Sequence, residues 1–378
     1  MQGEKYLYKS VYNSLKGQID AGQIQPGEKL PTENELAEIF EVSRITVQKA
    51  MGMLVQEGYV IRRPGRGSFA GEHIGQKEST KKDSTDTGQI NGKKMIGLIM
   101  EDFSAGFGIE MLKAIDEEAQ KRGYLLCVKR SCGKQEIEKK MLQELMEAKA
   151  AGIILMPTHG QHYNTEILKM VGEGMPLVFI DRYLEGLPVP FVGSDNKKAM
   201  KDMISYLSKR GYKKIGYITP PAEDAESLQK RVEGYCEACE EYGIKCGDAD
   251  LPEGKRAYLL DTIRSTIPDH QTISNREADE KRIEQFLKDN PQLEAIMTAE
   301  YDISILTEQV CQKMGMRVPE DLMIACFDGP VSSYGEYGCP HIRQQEEKIG
   351  KTAVDLLEGL IQGKKQIQHI CYEATIVK

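Results

Sequence analysis

The spacing of apolar residues divides the chain into three stretches. Over residues 1–72, apolar positions repeat first at helical spacing and then as in a hairpin. From residue 94 onward, short apolar runs alternate with amphipathic segments. Residues 73–93 hold only Ile74 and Ile90 as sizeable apolar residues, and so few cannot offset the entropy of ordering the segment. We therefore predict domains over 1–72 and 94–378, joined by a flexible linker over 73–93.

The region from residue 94 onward is predicted to be a doubly wound α/β domain. Its continuous apolar runs have the length of buried parallel strands, and segments between them, such as Ile109–Lys121, have one apolar face. Helices that cover both faces of a parallel sheet define this fold class, and the length of the region favours two lobes. The predicted strands are Met95–Met100, Tyr124–Lys129, Gly152–Met156, Pro176–Ile180, Lys214–Thr219, Glu294–Thr298 and Asp321–Phe327.

The first 72 residues predict three helices and a hairpin, which is a small α+β domain. An apolar stripe with helical spacing runs from Tyr8 to Ile19. Thr32 and Glu35 form a capping box ahead of a second helix, and Ser43 is a favourable N-cap for a third. Two short helices joined in this way can place the second one in a DNA major groove. The alternative is a helical bundle with a solvated polar face.

Positive charge is concentrated in the third helix and the hairpin. Residues 42–71 hold five basic residues and one acidic residue, whereas residues 1–41 hold four basic and seven acidic residues. The hairpin has a basic, glycine-rich tip over 62–67, where an arginine can reach phosphates or the minor groove. DNA binding needs a basic face and not a basic protein, so the net charge of −8 does not exclude it. The outward-facing helix residues are Arg44, Thr46, Gln48 and Lys49.

These residues resemble the GntR winged-helix family over almost all of residues 5–70. The resemblance rests on Pro26–Glu33, Glu35–Ala37, Val42–Val47, Glu57–Gly58 and Gly65–Phe69. It implies that the start of the third helix and the wing contact operator DNA. Asn34 and Gln48 stand where the family usually or often has arginine, which leaves the operator sequence open, because Gln pairs with adenine and Arg with guanine. The predicted DNA contacts are Thr32, Glu33, Arg44, Thr46, Gln48, Lys49, Arg62, Arg66 and Gly67.

Polar residues at the ends of the predicted strands are the candidates for ligand binding. Ligands of doubly wound sheets bind beyond the carboxyl ends of the strands. Carboxylates and arginines form directional hydrogen bonds with hydroxyl groups, and a ring such as Phe107 can lie against a sugar. Each residue alone could instead be a helix cap, as Asp195 would be, or a loop ion pair. The candidates are Asp102, Phe107, Arg130, Ser131, His159, Asp181, Arg182, Asp195, Glu300, Asp302 and Asp328.

Residues 94–378 resemble the periplasmic-binding-protein-like domain of LacI-family repressors. The resemblance implies two lobes hinged by three crossovers, a homodimer, and a ligand held between the lobes. The stretches that carry it are Met95–Asp102, Gly152–Pro157, Asp181–Arg182, Phe191–Asn196, Leu207–Thr219, Arg231–Ala238, Val318–Asp321, Phe327–Asp328, Pro340–Gln345 and the helix Lys348–Gln362.

The same resemblance assigns roles to individual residues of the predicted cleft. Arg231 matches a family arginine that reaches the ligand, and Asp195 and Asp328 match positions in the crossover region. Where the family usually has Asn-Asp, this chain has Glu300, a tyrosine and then Asp302, so either carboxylate could substitute for the family aspartate. The chain has no tryptophan, and a tyrosine or phenylalanine would have to stack on a sugar ring.

Other classes of function find less support in the sequence. No apolar run is long enough to span a bilayer, no secretory signal is recognised, and nine scattered cysteines favour a reduced, cytoplasmic compartment. Cys236 and Cys239 could suggest zinc, but they lie in a predicted helix without a second pair, so we expect no metal and no cofactor. Gly106 and Gly108 follow a strand like a dinucleotide-binding loop, yet Met111 replaces the third glycine. We therefore do not expect an enzyme.

A GntR-type reader joined to a LacI-type sensor is the arrangement of the arabinose-metabolism repressors of Gram-positive bacteria, which the whole chain resembles. We therefore expect a cytoplasmic, homodimeric regulator that binds a palindromic operator in double-stranded DNA. A sugar, with L-arabinose or another pentose as the first candidate, would close the effector domain and release the operator. The alternatives are an activator or corepressor-dependent regulator that responds to a non-sugar molecule, and a transport receptor.

Overall fold

The fold is taken from a computed structural model, which forms two compact units, Met1–Asp83 and Ser84–Lys378. The predicted linker falls largely outside the described residues, but its end includes strand β3, Gln89–Ile90. The described residues are 11–12, 14–19, 23–25, 27–40, 42–56, 59–63, 67–70, 89–90, 93–104, 106–158, 164–244, 258–267, 270–330, 338–364 and 367–378.

The first unit contains the predicted helices and hairpin. Residues 11–12 and 14–19 are helical, and the capping box is present, since Thr32 Oγ1 accepts from the backbone N–H of Glu35 at 3.3 Å. The carboxylate of Glu35 accepts in return from the Thr32 N–H at 2.7 Å, which fixes where the second helix begins. The other elements are α1 (Glu33–Ile39), α2 (Arg44–Gln56), β1 (Val60–Arg63) and β2 (Gly67–Ala70).

The core of this unit lies under α2 and the hairpin. Four residues of α2 are completely buried, as their helical spacing predicts, and Ser43 Oγ accepts from the N–H of Thr46 at 3.3 Å as the N-cap. Strands β1 and β2 are antiparallel, and the segment before α1 adds to their sheet through a bridge between Lys29 and Phe69. The polar side of α2 is thereby left on the surface. The buried residues are Val47, Ala50, Met51 and Leu54.

The first lobe of the second unit is a parallel sheet with helices on both faces. The sheet order is β14-β8-β7-β6-β4, and β5 and the antiparallel β3 both pair with β4. Leu98 points toward α3 and α10, whereas Ile99 points toward α4 and α5, as alternation along a strand requires. The elements are β4 (Lys93–Met100), α3 (Ile109–Lys121), β5 (Leu125–Arg130), α4 (Gln135–Glu147), β6 (Ile153–Leu155), α5 (Thr165–Gly172), β7 (Leu177–Ile180), β8 (Phe191–Ser194), α10 (Glu346–Ile361) and β14 (His369–Tyr372).

The second lobe repeats this architecture. Its sheet order is β10-β9-β11-β12-β13-β15, and only the β13–β15 pair is antiparallel. Tyr217 and Tyr235 are fully buried in its core, where the Tyr235 hydroxyl donates to the carbonyl of Ile215 at 2.8 Å. The elements are α6 (Asn196–Lys209), β9 (Ile215–Ile218), a 3-10 helix (Ala222–Asp224), α7 (Glu226–Glu241), β10 (Leu259–Leu260), α8 (Ile273–Asp289), β11 (Ala295–Thr298), α9 (Tyr301–Lys313), β12 (Met323–Phe327), β13 (His341–Arg343) and β15 (Thr375–Val377).

Three crossovers join the lobes, as the family resemblance implies. The chain passes from β8 to α6 at Asp195, from β13 to α10 at Gln344 and Gln345, and from β14 to β15 at residues 373–374. The first and third crossovers lie side by side, because the N–H of Asp195 donates to the carbonyl of Tyr372 at 2.9 Å. The doubly wound, two-lobed fold is therefore confirmed, and all seven predicted strands are present.

Candidate DNA-binding surface and effector cleft

The start of α2 presents a polar surface that α1 helps to organise. The Arg44 side chain is exposed, and Gln48 lies one turn further along the same face. Both reach Glu33 on α1: Gln48 Nε2 donates to Glu33 Oε2 at 2.8 Å, and Arg44 Nε lies 3.7 Å from the same oxygen. Two of the predicted base-reading side chains are therefore held together by a third predicted contact.

The threonines near this surface have hydroxyl groups engaged in helix caps. Thr32 Oγ1 donates to Glu35 Oε2 at 2.9 Å, and the hydroxyls of Thr46 and Ser43 are 2.8 Å apart. Thr46 is half-buried, so the cap accounts for its hydroxyl and leaves its methyl group near the surface. Binding to DNA through Thr46 would therefore add to a structural role.

The wing supplies the remaining predicted contacts. Arg62 lies on β1 opposite Ser68, and Gly67 opens β2 with φ 108°, a value that favours glycine. A Cβ atom at Gly67 would also lie 3.2 Å from Cε of Lys29. Arg66 lies outside the described residues, as do the side chains of Arg62 and Lys49. The backbone thus places β1 and α2 as predicted, and the three basic contacts stay predictions.

A cavity of about 170 Å³ lies between the two lobes of the second unit. Residues that follow β4 and β7 form one wall, and residues of α7 and the start of α9 form the other. The volume is below the roughly 300–1,000 Å³ of pockets for drug-sized ligands, so it suits a smaller molecule. Eight predicted effector-binding residues line it: Asp102, Phe107, Asp181, Arg182, Arg231, Glu300, Asp302 and Asp328.

Arg182 is fixed at the floor of the first lobe by two carboxylates. Its Nη1 donates to Glu101 Oε2 at 2.5 Å, and its Nε lies 3.3 Å from Asp181 Oδ2. The Glu101 side chain is almost completely buried, and the Arg182 side chain is only 12% exposed. An arginine held on two sides keeps a fixed direction for its remaining N–H groups, which suits directional binding of a hydroxyl group.

Arg231 is held in the second lobe in a comparable way. Its Nε donates to Asn196 Oδ1 at 2.9 Å, and its Nη1 donates to the carbonyl of Ala299 at 2.6 Å. The guanidinium also lies 3.6 Å from the ring centroid of Phe327, a cation–π contact. Arg231 is therefore held by the start of α6 and by the segment between β11 and α9. It also lines the cavity, so it can contact a ligand without moving.

Asp328 ends a hydrogen-bond chain that runs through two crossovers. Ser194 Oγ donates to Gln344 Oε1 at 2.5 Å, and Gln344 Nε2 donates to Asp328 Oδ1 at 2.8 Å. Burial raises the pKa of Asp328 to about 8. Its φ of 65° and the φ of 64° at Asp181 are left-handed values that non-glycine residues rarely adopt. Each of these aspartates follows a buried strand of its own lobe.

Both carboxylates proposed to replace the family aspartate line the cavity. Glu300 precedes α9, and Asp302 lies in its first turn. Partial burial and the negative charge of Asp102 raise the pKa of Asp302. The two aspartates line the cavity from different lobes. Glu300 and Asp302 both reach the cavity, so the choice between them stays open.

Three predicted residues do not line the cavity. Arg130 is half-exposed at its rim, where Nη1 lies 3.1 Å from Asp102 Oδ1, and the buried Ser131 Oγ lies 3.5 Å from the carbonyl of Met100. Asp195 caps α6 by accepting from the N–H of Lys198 at 2.9 Å, the alternative role considered for it. His159 lies outside the described residues.

Several lining residues were not predicted. Glu101 directly precedes Asp102, and Ser227 and Leu228 lie one helical turn before Arg231, so adjacency and helical spacing could have indicated them. Thr266 and Gln271 lie in the segment before α8, which has no periodic pattern. Phe103, Ser104, Gly106 and Tyr301 also line the cavity, within the strand-end stretches 102–107 and 300–302 from which the candidates were chosen, and Met156 lies at the end of a predicted strand.

The described residues contain neither a metal-binding cluster nor a membrane-spanning helix. Among these residues, no group of histidine, cysteine, aspartate or glutamate side chains is arranged to hold a metal ion. Cys236 and Cys239 lie within α7, in agreement with the predicted helix. The helices of the described part of the chain include none long and apolar enough to cross a membrane.

Comparison with protein families and curated proteins agrees with both halves of the structure. Residues 7–69 match the gntR family of bacterial regulatory proteins, and residues 93–334 match the periplasmic binding proteins and sugar binding domain of the LacI family. The arabinose metabolism transcriptional repressor of Halalkalibacterium halodurans is 25% identical over 98% of this chain and 95% of its own length. The repressor of the same name from Geobacillus stearothermophilus is 24% identical over 98% of this chain and 96% of its own length.

Solved structures share the fold. Transcription regulator CcpA of Lactococcus lactis matches with a TM-score of 0.61 at 20% identity, over 76% of this chain and 98% of its own. A second match is a periplasmic binding protein/LacI transcriptional regulator from Alkaliphilus metalliredigens, complexed with D-xylulofuranose. Its TM-score is 0.60 at 21% identity, over 76% of this chain and 98% of its own. With the match over residues 93–334, the chain belongs to the LacI family of sugar-binding domains, and its gntR-family domain makes it a DNA-binding transcriptional regulator and not an enzyme.

Proposed function

We propose that the protein is a homodimeric, cytoplasmic repressor of genes for pentose utilisation, and that a pentose releases it from a palindromic operator. L-Arabinose is the first candidate effector. The observation that carries the proposal is the small cavity between the lobes, because a ligand held by both walls favours the closed arrangement. Two similar proteins support the choice of sugar, since one is named for arabinose metabolism and another was solved with a five-carbon sugar.

The proposed ligand contacts divide between the lobes. Arg182 and Asp102 act from the first lobe and Arg231 and Asp302 from the second, so that only a closed cleft satisfies all four. Phe107, on the first wall, supplies a flat apolar surface for a sugar ring. A coupling of about 1–3 kcal/mol between closure and DNA binding changes operator affinity by about 5–150-fold, which is enough to switch transcription.

The proposed DNA contacts lie at the N-terminal end of α2 and in the wing. Arg44 and Gln48 read bases, and the basic residues of the wing bind phosphates. In a homodimer two such readers would contact the two halves of a palindrome, which is the basis for proposing both features together.

A two-step experiment tests the proposal. Thermal-shift titration of the full-length protein with L-arabinose, D-xylose, D-ribose and D-glucose identifies the stabilising sugar, because a bound ligand raises stability by mass action. Operator fragments selected from genomic DNA are then used in gel shifts with and without that sugar. We expect the pentose to weaken the DNA complex. A sugar that strengthens the complex would make the protein corepressor-dependent, and a complex indifferent to every sugar would contradict the proposed switch.

A further inference from the structure

Both walls of the cleft carry more carboxyl groups than basic groups. Six carboxylate side chains line the cavity, but only two guanidinium groups do, and no lysine is among the lining residues that the structure describes. Because the pKa of Asp328 is raised to about 8, this residue is largely uncharged at neutral pH. The other five carboxylates still outnumber the two guanidinium groups, so a ligand that enters meets an excess of negative charge. The carboxylates are Glu101, Asp102, Asp181, Glu300, Asp302 and Asp328.

The two arginines are already engaged by protein groups. Arg182 lies between Glu101 and Asp181, which together carry more negative charge than the guanidinium carries positive charge. Arg231 donates to a side-chain amide and a backbone carbonyl, and its face is covered by Phe327. A hydroxyl oxygen can accept from a guanidinium group that is already paired, because it adds no charge. An anion at either arginine would also lie close to the neighbouring carboxylates.

Asp102 and Asp302 are less compensated by positive charge than Glu101 and Asp181, which share the buried Arg182. Asp102 has a partner in Arg130, which lies outside the cavity and is 52% exposed. Asp302 faces Asp102 and makes none of the hydrogen bonds or ion pairs found among the described residues. Like charges that face each other across a low-dielectric cleft reinforce its negative potential.

We propose that the cleft selects a sugar without negative charge and rejects sugar phosphates and sugar acids. This inference rests on the proposed sugar-binding function and narrows the class of effector. The polar atoms of the cleft satisfy the hydroxyl groups of a neutral sugar, whereas a phosphate or carboxylate group would meet the like charge of Asp102 from one lobe and of Asp302 from the other.

The first test uses matched ligands on the full-length protein. L-Arabinose, D-ribose and D-glucose are compared with L-arabinonate, D-ribose 5-phosphate and D-glucose 6-phosphate by calorimetric titration. For every neutral sugar that binds, we expect its anionic derivative to bind at least about 100-fold more weakly, since like-charge contacts in an interface cost several kcal/mol. An anionic derivative that equals or exceeds its parent sugar would overturn the inference and leave the regulator function intact.

The second test measures the potential of the cleft without any sugar. Ser104 lines the cleft and is exposed, so Ser104→Cys places a thiol there. Its rates of reaction with a trimethylammonium and a sulfonate methanethiosulfonate reagent are compared, with 2-mercaptoethanol as reference and labelled peptides identified by mass spectrometry. Ser274→Cys, on the exposed start of α8 away from the cavity lining, is the matched control.

We expect the cationic reagent to react at least about 10-fold faster than the anionic one at position 104 after normalisation, because charged clefts concentrate counter-ions by 10-fold or more. Asp102→Asn with Asp302→Asn should remove most of that preference, and position 274 should show little. Equal rates for the two reagents at position 104 would overturn the inference even if no sugar is found. A strong cationic preference with no sugar bound in any charge state would support the charge assignment and contradict the sugar-binding function.

Discussion

Gly106 of the first lobe and Tyr301 of the second lobe meet across the mouth of the cleft. A Cβ atom built on Gly106 would lie 2.9 Å from Cβ of Tyr301, closer than such atoms approach in real structures. The lobes are therefore as close at this point as glycine alone permits. This contact makes closure of the cleft testable by the smallest possible substitution.

Gly106→Ala should hold the lobes apart and weaken binding of the stabilising sugar. Overpacking costs about 1–3 kcal/mol, and if that cost falls on the closed form alone, affinity decreases by about 5–150-fold. Calorimetric titration measures the affinity, and small-angle scattering measures the opening. Gly172→Ala is the control, because no atom lies within 4 Å of its Cβ position. Unchanged affinity in the Gly106 variant would show that this contact does not limit closure.

Arg44→Ala should weaken operator binding and leave sugar affinity unchanged. The loss of one arginine–guanine contact costs about 1–3 kcal/mol, and affinity should depend less steeply on salt concentration if Arg44 also contacts a phosphate. Gel shifts at several salt concentrations measure both effects. Arg317→Ala removes an exposed arginine of the second unit, paired with Asp321, and should change neither. Simultaneous loss of DNA and sugar binding in the Arg44 variant would contradict two separate sites.

Asp328→Asn should change how the stability of the protein depends on pH. The folded protein keeps a proton on Asp328 up to about pH 8, whereas the unfolded chain releases it near its ordinary pKa of 3.8. The free energy of unfolding of the parent protein therefore falls as pH rises between these values, at up to about 1.4 kcal/mol per pH unit. Asparagine still accepts from Gln344 but does not titrate, so the Tm of the variant relative to the parent should increase from pH 5 to pH 8.

The control for this experiment has the opposite pKa shift. Hydrogen bonds from Arg317 lower the pKa of the exposed Asp321 to about 2. The stability that Asp321 contributes is complete above its ordinary pKa and is lost only as pH falls through 2. Asp321→Asn should therefore give a Tm difference that stays constant between pH 5 and pH 8, whereas a constant difference for Asp328→Asn would disprove the assigned protonation.

Glu346→Ala should destabilise the first lobe, because Glu346 caps the start of α3, a helix that lies far away in the sequence. The helix α3 begins after Gly108, which has no side chain, and Glu346 Oε2 accepts instead from the backbone N–H groups of Gly108 at 2.8 Å and Met111 at 3.1 Å. In the variant, two buried N–H donors lose their acceptor, and each loss costs about 1–3 kcal/mol of stability. Urea unfolding measures the decrease in the free energy of unfolding. Glu347→Ala, at an exposed neighbour paired with Lys351, should leave the unfolding midpoint nearly unchanged.

The central strands could be predicted from the sequence because they are buried on both faces. Every residue of β6 and β7 is inaccessible, which requires a continuous apolar run. Strand β14, His369–Tyr372, lies at a sheet edge and alternates between exposed and partly buried residues, so its pattern is short and mixed. Its assignment to the first lobe and that of β15 to the second depend on tertiary pairing, which local periodicity does not contain.

The candidate site could likewise be predicted only in part from the sequence. Carboxylates and arginines at the ends of strands could be predicted as ligand contacts, because ligands of this fold bind beyond the carboxyl ends of the strands. Arg231 was identified by family resemblance. The contact between Ser194 and Gln344 joins residues 150 positions apart. Both lie in stretches that carry the family resemblance, but the sequence pattern does not show that their side chains meet. The capping role of Asp195 was foreseen only as an alternative, because a cap and a ligand contact require the same residue type at the same place.

The short passage from β14 to β15 has a consequence for how far the lobes can open. These strands complete the edges of two different sheets, and only residues 373–374 separate them. The chain from Tyr372 to Thr375 can span at most about 11 Å even when fully extended. The two sheet edges therefore act as a tether, and the lobes can swing about this point but cannot pull apart there.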